Sequence, residues 1–146
     1  MAGVGPRSPL LENDRVLLFG WGLEQARPFE WGQIEARRLE NVPLAEVADD
    51  PAGAAQRVLD GFAERFERLL IHFDVDTIDL TDAPLSENTG RNEGLSFDAA
   101  LSALASLASS ERLSALTITE LNPLHGAEDG ATLERFTAAL ARALAG

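Results

Sequence analysis

The chain has 146 residues, of which 45% are apolar and 25% charged, an ordinary balance for one domain with a hydrophobic core. Its net charge is −12, with 24 acidic residues against 12 basic ones, all of which are arginine. This negative charge argues against nucleic acid and anionic membranes as partners. The absence of cysteine excludes disulfides and thiolate metal sites, and no signal-peptide pattern or run of 18 apolar residues occurs. We therefore expect a single domain over residues 1–146, with a flexible start over 1–13 and a cytoplasmic location.

Strands and helices are predicted to alternate along the chain. The predicted strands are short apolar runs, at 15–20, at 42–47 (weakened by Pro43) and in the first part of 69–79, followed by a longer one at 113–121. The predicted helices are more amphipathic, at 24–39 (broken by Pro28 and Gly32), 51–68, 96–109 and 131–145. Asp50 and Pro51 form a typical helix start, and residues 80–93 are predicted to be a long polar loop.

This order of elements predicts an α/β fold with three layers, in which helices cover both faces of a mostly parallel sheet. In such sheets ligands bind beyond the carboxyl ends of the strands. Asp74, Asp76 and Glu120 all fall at these ends, which is a reason to look for a polar site there.

The most informative stretch is 69–79, where a short apolar run ends in acid. In a strand, residues i and i+2 lie on the same side, so Asp74 and Asp76 are expected to project together with His72. Two neighbouring carboxylates repel each other unless one has a raised pKa, an arginine lies nearby, or a metal ion binds. An Asp-x-Asp pair of this kind also occurs in turns and helix caps.

Three segments, in order, resemble the arginase/agmatinase (ureohydrolase) family. Residues 73–79 (F-D-V-D-T-I-D) resemble its S-F-D-V-D-x-x-D-P segment. Residues 89–96 are similar to its T-G stretch followed by G-G-L-[ST], with Glu93 in place of the first glycine of the pair. Residues 119–123 (T-E-L-N-P) are similar to its [ML]-E-[VL]-N-P strand end. Two first-half segments of that family, G-G-[DE]-H-[ST] and D-A-H-x-D, are not in this sequence.

The resemblance implies the carboxyl-terminal half of an arginase-like fold and a hydrolase that uses two Mn²⁺ ions. It implies that Asp74 bridges the ions, Asp76 binds one of them, and Glu120 holds the guanidinium of a guanidino substrate, with Thr89 in the substrate loop. The reaction it implies releases urea and an amine.

Each of these roles has a structural alternative. Asp74 and Asp76 also fit an ion pair with Arg91 or a turn cap, and Glu120 also fits an ion pair with a neighbouring arginine. The substrate loop at 86–92 departs from the family pattern, which leaves arginine, agmatine and other guanidino compounds open as substrates.

Three further residues are candidates for a supporting shell around the site. His72 is expected to be a packed, hydrogen-bonded histidine, Asp79 a turn residue, and His125 a residue of a surface loop. Near the first strand, Gly20 and Gly22 allow a sharp turn, and Trp21 is expected to pack in the core.

Because half of the family's metal ligands are missing, we expect this chain to be inactive alone and to associate with the missing half or to form a homo-oligomer. The alternative is a non-catalytic ureohydrolase-like module that acts in assembly or regulation. A mononucleotide-binding domain is a weaker hypothesis, since no G-x-G-x-x-G motif or P-loop follows Gly20-Trp21-Gly22.

Overall fold

The computed structural model describes residues 6, 8–22, 26–90 and 93–145. Its strands are β1 (Leu17–Trp21), β2 (Glu40–Pro43), β3 (Leu69–Asp74) and β4 (Leu113–Thr119). Its α-helices are α1 (Pro28–Arg37), α2 (Leu44–Asp49), α3 (Pro51–Ala63), α4 (Phe97–Ala108) and α5 (Ala131–Ala145). Single 3₁₀ turns occur at Asn13–Arg15 and Val75–Thr77. Among these described helices, none has the length and apolar character needed to cross a membrane.

The strands pair in parallel, as the alternation of elements predicted. Within the described residues they form two sheets of two strands each, β1 with β2 and β3 with β4. The two sheets approach each other at the end of β1, where the Thr77 hydroxyl donates to the Gly20 carbonyl at 3.4 Å. The predicted α/β class with parallel strands is confirmed.

Helix starts follow the capping signals in the sequence. Asp50 caps α3 by accepting a hydrogen bond from Gly53 N at 3.0 Å, and Pro51 occupies the first helical position. Ser96 caps α4 in the same way, accepting from Ala99 N at 3.2 Å. The predicted last helix, over Ala131–Ala145, is confirmed.

The region between β1 and α3 differs from the prediction. Pro28 begins α1 instead of breaking it, because a proline at the first helical position loses no hydrogen bond, and Gly32 lies inside the unbroken helix. The start of the predicted helix, at 24–25, lies outside the described residues. The predicted strand at 42–47 is wrong from Leu44 onwards, since β2 ends at Pro43, and Leu44–Asp49 is helical.

The helix α3 ends at Ala63, five residues before its predicted end at 68. The side chain of Arg65, just beyond the helix, lies over the Phe62 and Phe66 rings and pairs with Glu40. These contacts to β2 hold the chain in a turn that leads directly into β3.

The core is centred on α4, α5 and the loop that follows β3, and α2 and α3 contribute Val47 and Ala54. Its largest fully buried side chains are Phe136, Ile78, Leu85, Leu104, Val47 and Val75. The predicted polar loop at 80–93 therefore contributes to the core, with Ala83 and Leu85 at most 1% exposed. These apolar anchors hold the loop against the helices.

One face of the β3–β4 sheet is open within the described residues. Leu70 is 63% exposed, and His72 on the same face is also exposed, whereas Phe73 on the opposite face is only 8% exposed. The central strand was predicted to be buried, and this is correct for one of its two faces.

Candidate functional site

The carboxyl ends of β3 and β4 lie side by side and carry the acidic residues. Asp74, the last residue of β3, is aligned with Thr119, the last residue of β4. Glu120 follows directly. The parallel pairing thus brings acids that are far apart in sequence to one edge of the sheet.

Asp74 and Asp76 are linked by a local hydrogen bond. The strand stops at Asp74, and Val75–Thr77 forms a 3₁₀ turn, so the alternation of a strand, on which the prediction was based, does not extend to Asp76. Asp74 Oδ1 accepts from Asp76 N at 2.9 Å. Both residues are partly buried. Arg91, the predicted alternative partner, lies outside the described residues.

A buried serine contacts the second aspartate. Ser86 is 2% exposed, and its hydroxyl donates to Asp76 Oδ1. The Asn88 carbonyl also lies within reach of this hydroxyl, at 3.1 Å. Sequence analysis missed Ser86, because a lone serine in a polar loop carries no signal of burial.

The loop that carries Ser86 also contacts the end of β4. Ser86 forms an antiparallel bridge with Leu121, and Glu87 N donates to the Glu120 carbonyl at 2.8 Å. Glu120 adopts a left-handed backbone conformation with φ of 56°, which is uncommon for a residue other than glycine. Its side chain is exposed.

Thr89, the predicted substrate-loop residue, lies in an exposed turn of the same loop. Gly90 N donates to Asn88 Oδ1 at 3.1 Å, which closes this turn. The structure thus places Thr89 three residues beyond the buried Ser86.

His125 is held inside a hydrogen-bond chain and is only partly exposed. Its Nδ1 lies 2.8 Å from the Ser86 carbonyl, and its Nε2 lies 3.2 Å from Asn122 Nδ2. Because a carbonyl only accepts and an amide nitrogen only donates, Nδ1 carries the proton and Nε2 accepts. Asn122 Nδ2 also donates to Glu87 Oε2 at 2.7 Å.

His72 is hydrogen-bonded through both ring nitrogens. Thr117 Oγ1 lies 3.0 Å from Nδ1, and Thr119 Oγ1 lies 3.1 Å from Nε2. The expected hydrogen bonding is therefore present. The expected packing is wrong, because His72 is exposed.

Asp79 closes a turn after the site. Thr81 donates to Asp79 Oδ1 through its hydroxyl at 2.6 Å and its backbone N–H at 2.8 Å, and Gly94 N lies 3.5 Å from Oδ2. The Thr81 hydroxyl is the main reason that the pKa of Asp79 lies below its usual range, against a smaller opposing effect of burial.

The side chains at this edge are of the right chemical type to bind a divalent cation, but there are too few of them. Carboxylate oxygens are the ligands that Mn²⁺ prefers. Among the described residues, however, no group of three or more histidine, cysteine, aspartate or glutamate side chains is gathered to hold a metal ion. Asp74 and Asp76 alone do not fit a two-metal centre.

Comparison with known proteins identifies the family of this chain. A model of the arginase family matches residues 6–146, almost the whole chain. The chain belongs to the arginase family. Searched against curated protein sequences, it has no match.

Solved structures of arginase-family proteins share the fold. The arginase of Bacillus caldovelox superposes with a TM-score of 0.82 at 21% identity, over 97% of this chain and 46% of that one. The formimidoylglutamase of Bacillus subtilis gives a TM-score of 0.74 at 17% identity, over 88% and 40%. The arginase of Entamoeba histolytica, solved in complex with L-ornithine, gives 0.70 at 17% identity, over 85% and 42%. This member of the arginase family thus spans less than half of the length of these three proteins.

Proposed function

We propose that this chain supplies the carboxyl-terminal part of a manganese-dependent ureohydrolase. In this proposal Asp74 and Asp76 are cation ligands, and Glu120 and Thr89 contact the substrate. The observation that supports it most strongly is the position of the acids, at the ends of two neighbouring parallel strands that a single loop ties together. A cytoplasmic location is part of this proposal.

The proposed substrate is a guanidino compound. A carboxylate binds a planar guanidinium through two parallel hydrogen bonds, and the exposed side chain of Glu120 is available for such a contact. The reaction is hydrolysis of a guanidino C–N bond with release of urea. A formimidoylglutamase shares the fold, so the fold alone does not select the substrate.

The remaining metal ligands are proposed to come from a segment that corresponds to the first half of the family fold. Two features of the described residues favour its docking here. The strands form two separate parallel pairs, and the face of β3–β4 that carries Leu70 is open. Strand edges and open sheet faces are sites at which further chain segments pack.

The test joins this chain to its missing half. The coding region before the codon for Met1 is translated, and a segment with G-G-[DE]-H and D-A-H-x-D motifs is fused to or co-expressed with this chain. Urea release from arginine, agmatine and related guanidino compounds is then measured with Mn²⁺. We expect activity that Asp76→Asn lowers by at least about 100-fold, as expected for the loss of a metal ligand.

The matched control is Asp60→Asn, an exposed aspartate on α3 that accepts a hydrogen bond from Gln56. This variant keeps that bond and should keep full activity. A stable complex that shows no Mn²⁺-dependent hydrolysis of any of these substrates would contradict the proposal.

A second function is favoured by one observation, the lack of a complete ligand group among the described residues. In that case the chain is a non-catalytic module that binds and regulates another protein. A stable complex without hydrolysis, in the same experiment, is the result that this alternative predicts.

A further inference from the structure

His125 joins two segments that meet beyond the strands, the loop after β3 and the segment after β4. Its partly buried ring lies between the Ser86 carbonyl, 2.8 Å from Nδ1, and Asn122 Nδ2, 3.2 Å from Nε2. Histidine is the side chain that ordinarily changes its charge between about pH 5 and 8. The charge state that these two contacts accept therefore decides how the two segments respond to acid.

A third contact fixes the orientation of the Asn122 amide. Leu124 N donates to Asn122 Oδ1 at 2.9 Å, and a backbone N–H cannot accept, so the amide oxygen lies at that end. The amide nitrogen then faces Glu87 Oε2, at 2.7 Å, as well as His125 Nε2. Because this nitrogen only donates, Nε2 has to accept, and the arrangement admits only the neutral ring with its proton on Nδ1.

A protonated ring does not fit this arrangement. Its Nε2–H would face the N–H of Asn122, and a partly buried donor without an acceptor is costly. The Asn122 amide cannot turn over to accept, because its nitrogen would then face Leu124 N, which is also a donor. The next acceptor along the chain of hydrogen bonds is the Glu87 carboxylate, which Asn122 holds in the neutral state.

The charged side chains on the segments around the ring favour this exchange of partners. Asp76 is connected to the ring through Ser86, and Glu87 through Asn122. The others in the described part of these segments lie after β4 and before α5, and they are Glu120, Glu128 and Asp129. All five are acidic, so an imidazolium has carboxylates with which to pair.

We propose that His125 is an acid-sensitive latch between these two segments. The neutral ring holds them together, and the protonated ring pairs with Glu87, which displaces the Asn122 amide and releases the loop from the segment after β4. The rearrangement itself does not depend on the proposed function. Only its effect on substrate contacts at Glu120 and Thr89 rests on that proposal.

The test follows the isotope-labelled chain by NMR between about pH 7.5 and 5.5, where histidine changes its charge. Long-range ¹H–¹⁵N spectra should show the His125 proton on Nδ1 at the higher pH and both ring nitrogens protonated at the lower. As the ring protonates, the Asn122 side-chain amide and Leu124 N–H signals should shift. Exchange of Glu87 N–H, corrected for its intrinsic pH dependence, should accelerate by about tenfold or more.

Two glutamine variants separate the latch from other effects of acid. In His125→Gln the amide both donates and accepts but takes no charge, so the loop signals should no longer respond to pH. The matched control is His72→Gln, which should keep the response. The partners of His72 are two threonine hydroxyls, which donate or accept as required, so its protonation breaks no contact.

The wild-type spectra decide the matter even if His125→Gln does not fold. A His125 proton on Nε2 at the higher pH would overturn the inference. So would protonation of His125 that leaves the signals of Glu87, Asn122 and Leu124 unchanged, or an unchanged response in folded His125→Gln. None of these measurements uses a metal ion or a substrate, so their outcome is independent of the proposed function.

Discussion

At the scale of single residues, the Thr81–Asp79 contact has a consequence for acid stability. Hydrogen bonds from Thr81 favour the ionised carboxylate and lower the pKa of Asp79 in the folded chain. A lowered pKa stabilises the fold at pH values above the unfolded pKa of 3.8. This contribution is lost as the pH falls through the lower, folded pKa.

We predict that Thr81→Val raises the pKa of Asp79 towards its ordinary value, because the variant removes the stronger of the two donors and keeps the backbone N–H. The pKa is measured by ¹³C NMR titration of the carboxyl carbon. Thr137→Val, on α5, serves as the control, since the Thr137 hydroxyl donates within its own helix. An unchanged pKa in Thr81→Val would show that the hydroxyl bond is not formed in solution.

The residue scale also shows what sequence reasoning was able to find at the site. Asp74, Asp76 and Glu120 were predicted at the carboxyl ends of parallel strands, and the backbone pairing places Asp74 beside Thr119, the residue before Glu120. The convergence of their side chains stays a prediction, since the described residues form no group of three that could hold a metal ion. Ser86 was not found, because its burial is created by the return of the loop against the end of β4. A contact between residues with no local pattern depends on the tertiary fold.

At the scale of elements, the loop after β3 is held by a close backbone approach at Gly94. A Cβ atom there would lie 2.3 Å from Asp79 N and 2.5 Å from the Ile78 carbonyl carbon. The parallel bridge between Ile78 and Leu95 depends on this approach. Gly94, the glycine that remains in the stretch that resembles the family, is therefore required on steric grounds.

We predict that Gly94→Ala lowers the free energy of unfolding by about 1–3 kcal/mol, because backbone must move to admit the methyl group. Gly61→Ala is the matched control, since nothing lies within 4 Å of a Cβ at this helical position. That substitution should stabilise the chain by about 0.5–1 kcal/mol. Both values come from chemical denaturation, and equal stabilities of the two variants would contradict the packing described for the loop.

Helix starts marked by a cap or an amphipathic repeat were predictable, whereas the end of α3 and the short helix α2 were not. The helices α4 and α5 combine a long apolar repeat with clear boundaries, and their predicted positions agree with the structure to within one residue. The six-residue helix α2 is too short to show a helical repeat, and its apolar residues gave the pattern of a strand.

At the scale of the whole molecule, the two faces of β3 differ in how much they contribute to stability. Leu70 is 63% exposed and Phe73 is 8% exposed, although they lie on the same strand. We predict that Leu70→Ala changes the free energy of unfolding by less than about 0.5 kcal/mol, because it removes little buried surface. Phe73→Ala should cost about 3–5 kcal/mol.

The same pair of variants reports whether another chain covers the open face. Unfolding is followed by denaturant titration at several protein concentrations. A large loss of stability in Leu70→Ala, together with a dependence on concentration, would mean that copies of the chain associate through this face, and would contradict the small effect predicted for Leu70→Ala.

The parallel sheet and the edge that carries the acids were predictable for the whole molecule, because both follow from the alternation of strands and helices. The separation into two sheets was not, since strand order is set by contacts between distant segments. Among the residues that the structure describes, no group of three or more possible metal ligands is gathered.

The central claim is that the acids beyond β3 belong to a cation site whose other ligands lie elsewhere. Its most direct test is an NMR titration of the labelled chain with Mn²⁺. Amide signals at 74–76 should broaden first, with a dissociation constant of about 1 mM or weaker for two carboxylates without further ligands. Asp76→Asn should remove this effect. Tight binding of two ions by the chain alone, or broadening that is strongest at unrelated exposed acids such as Asp60, would contradict the claim.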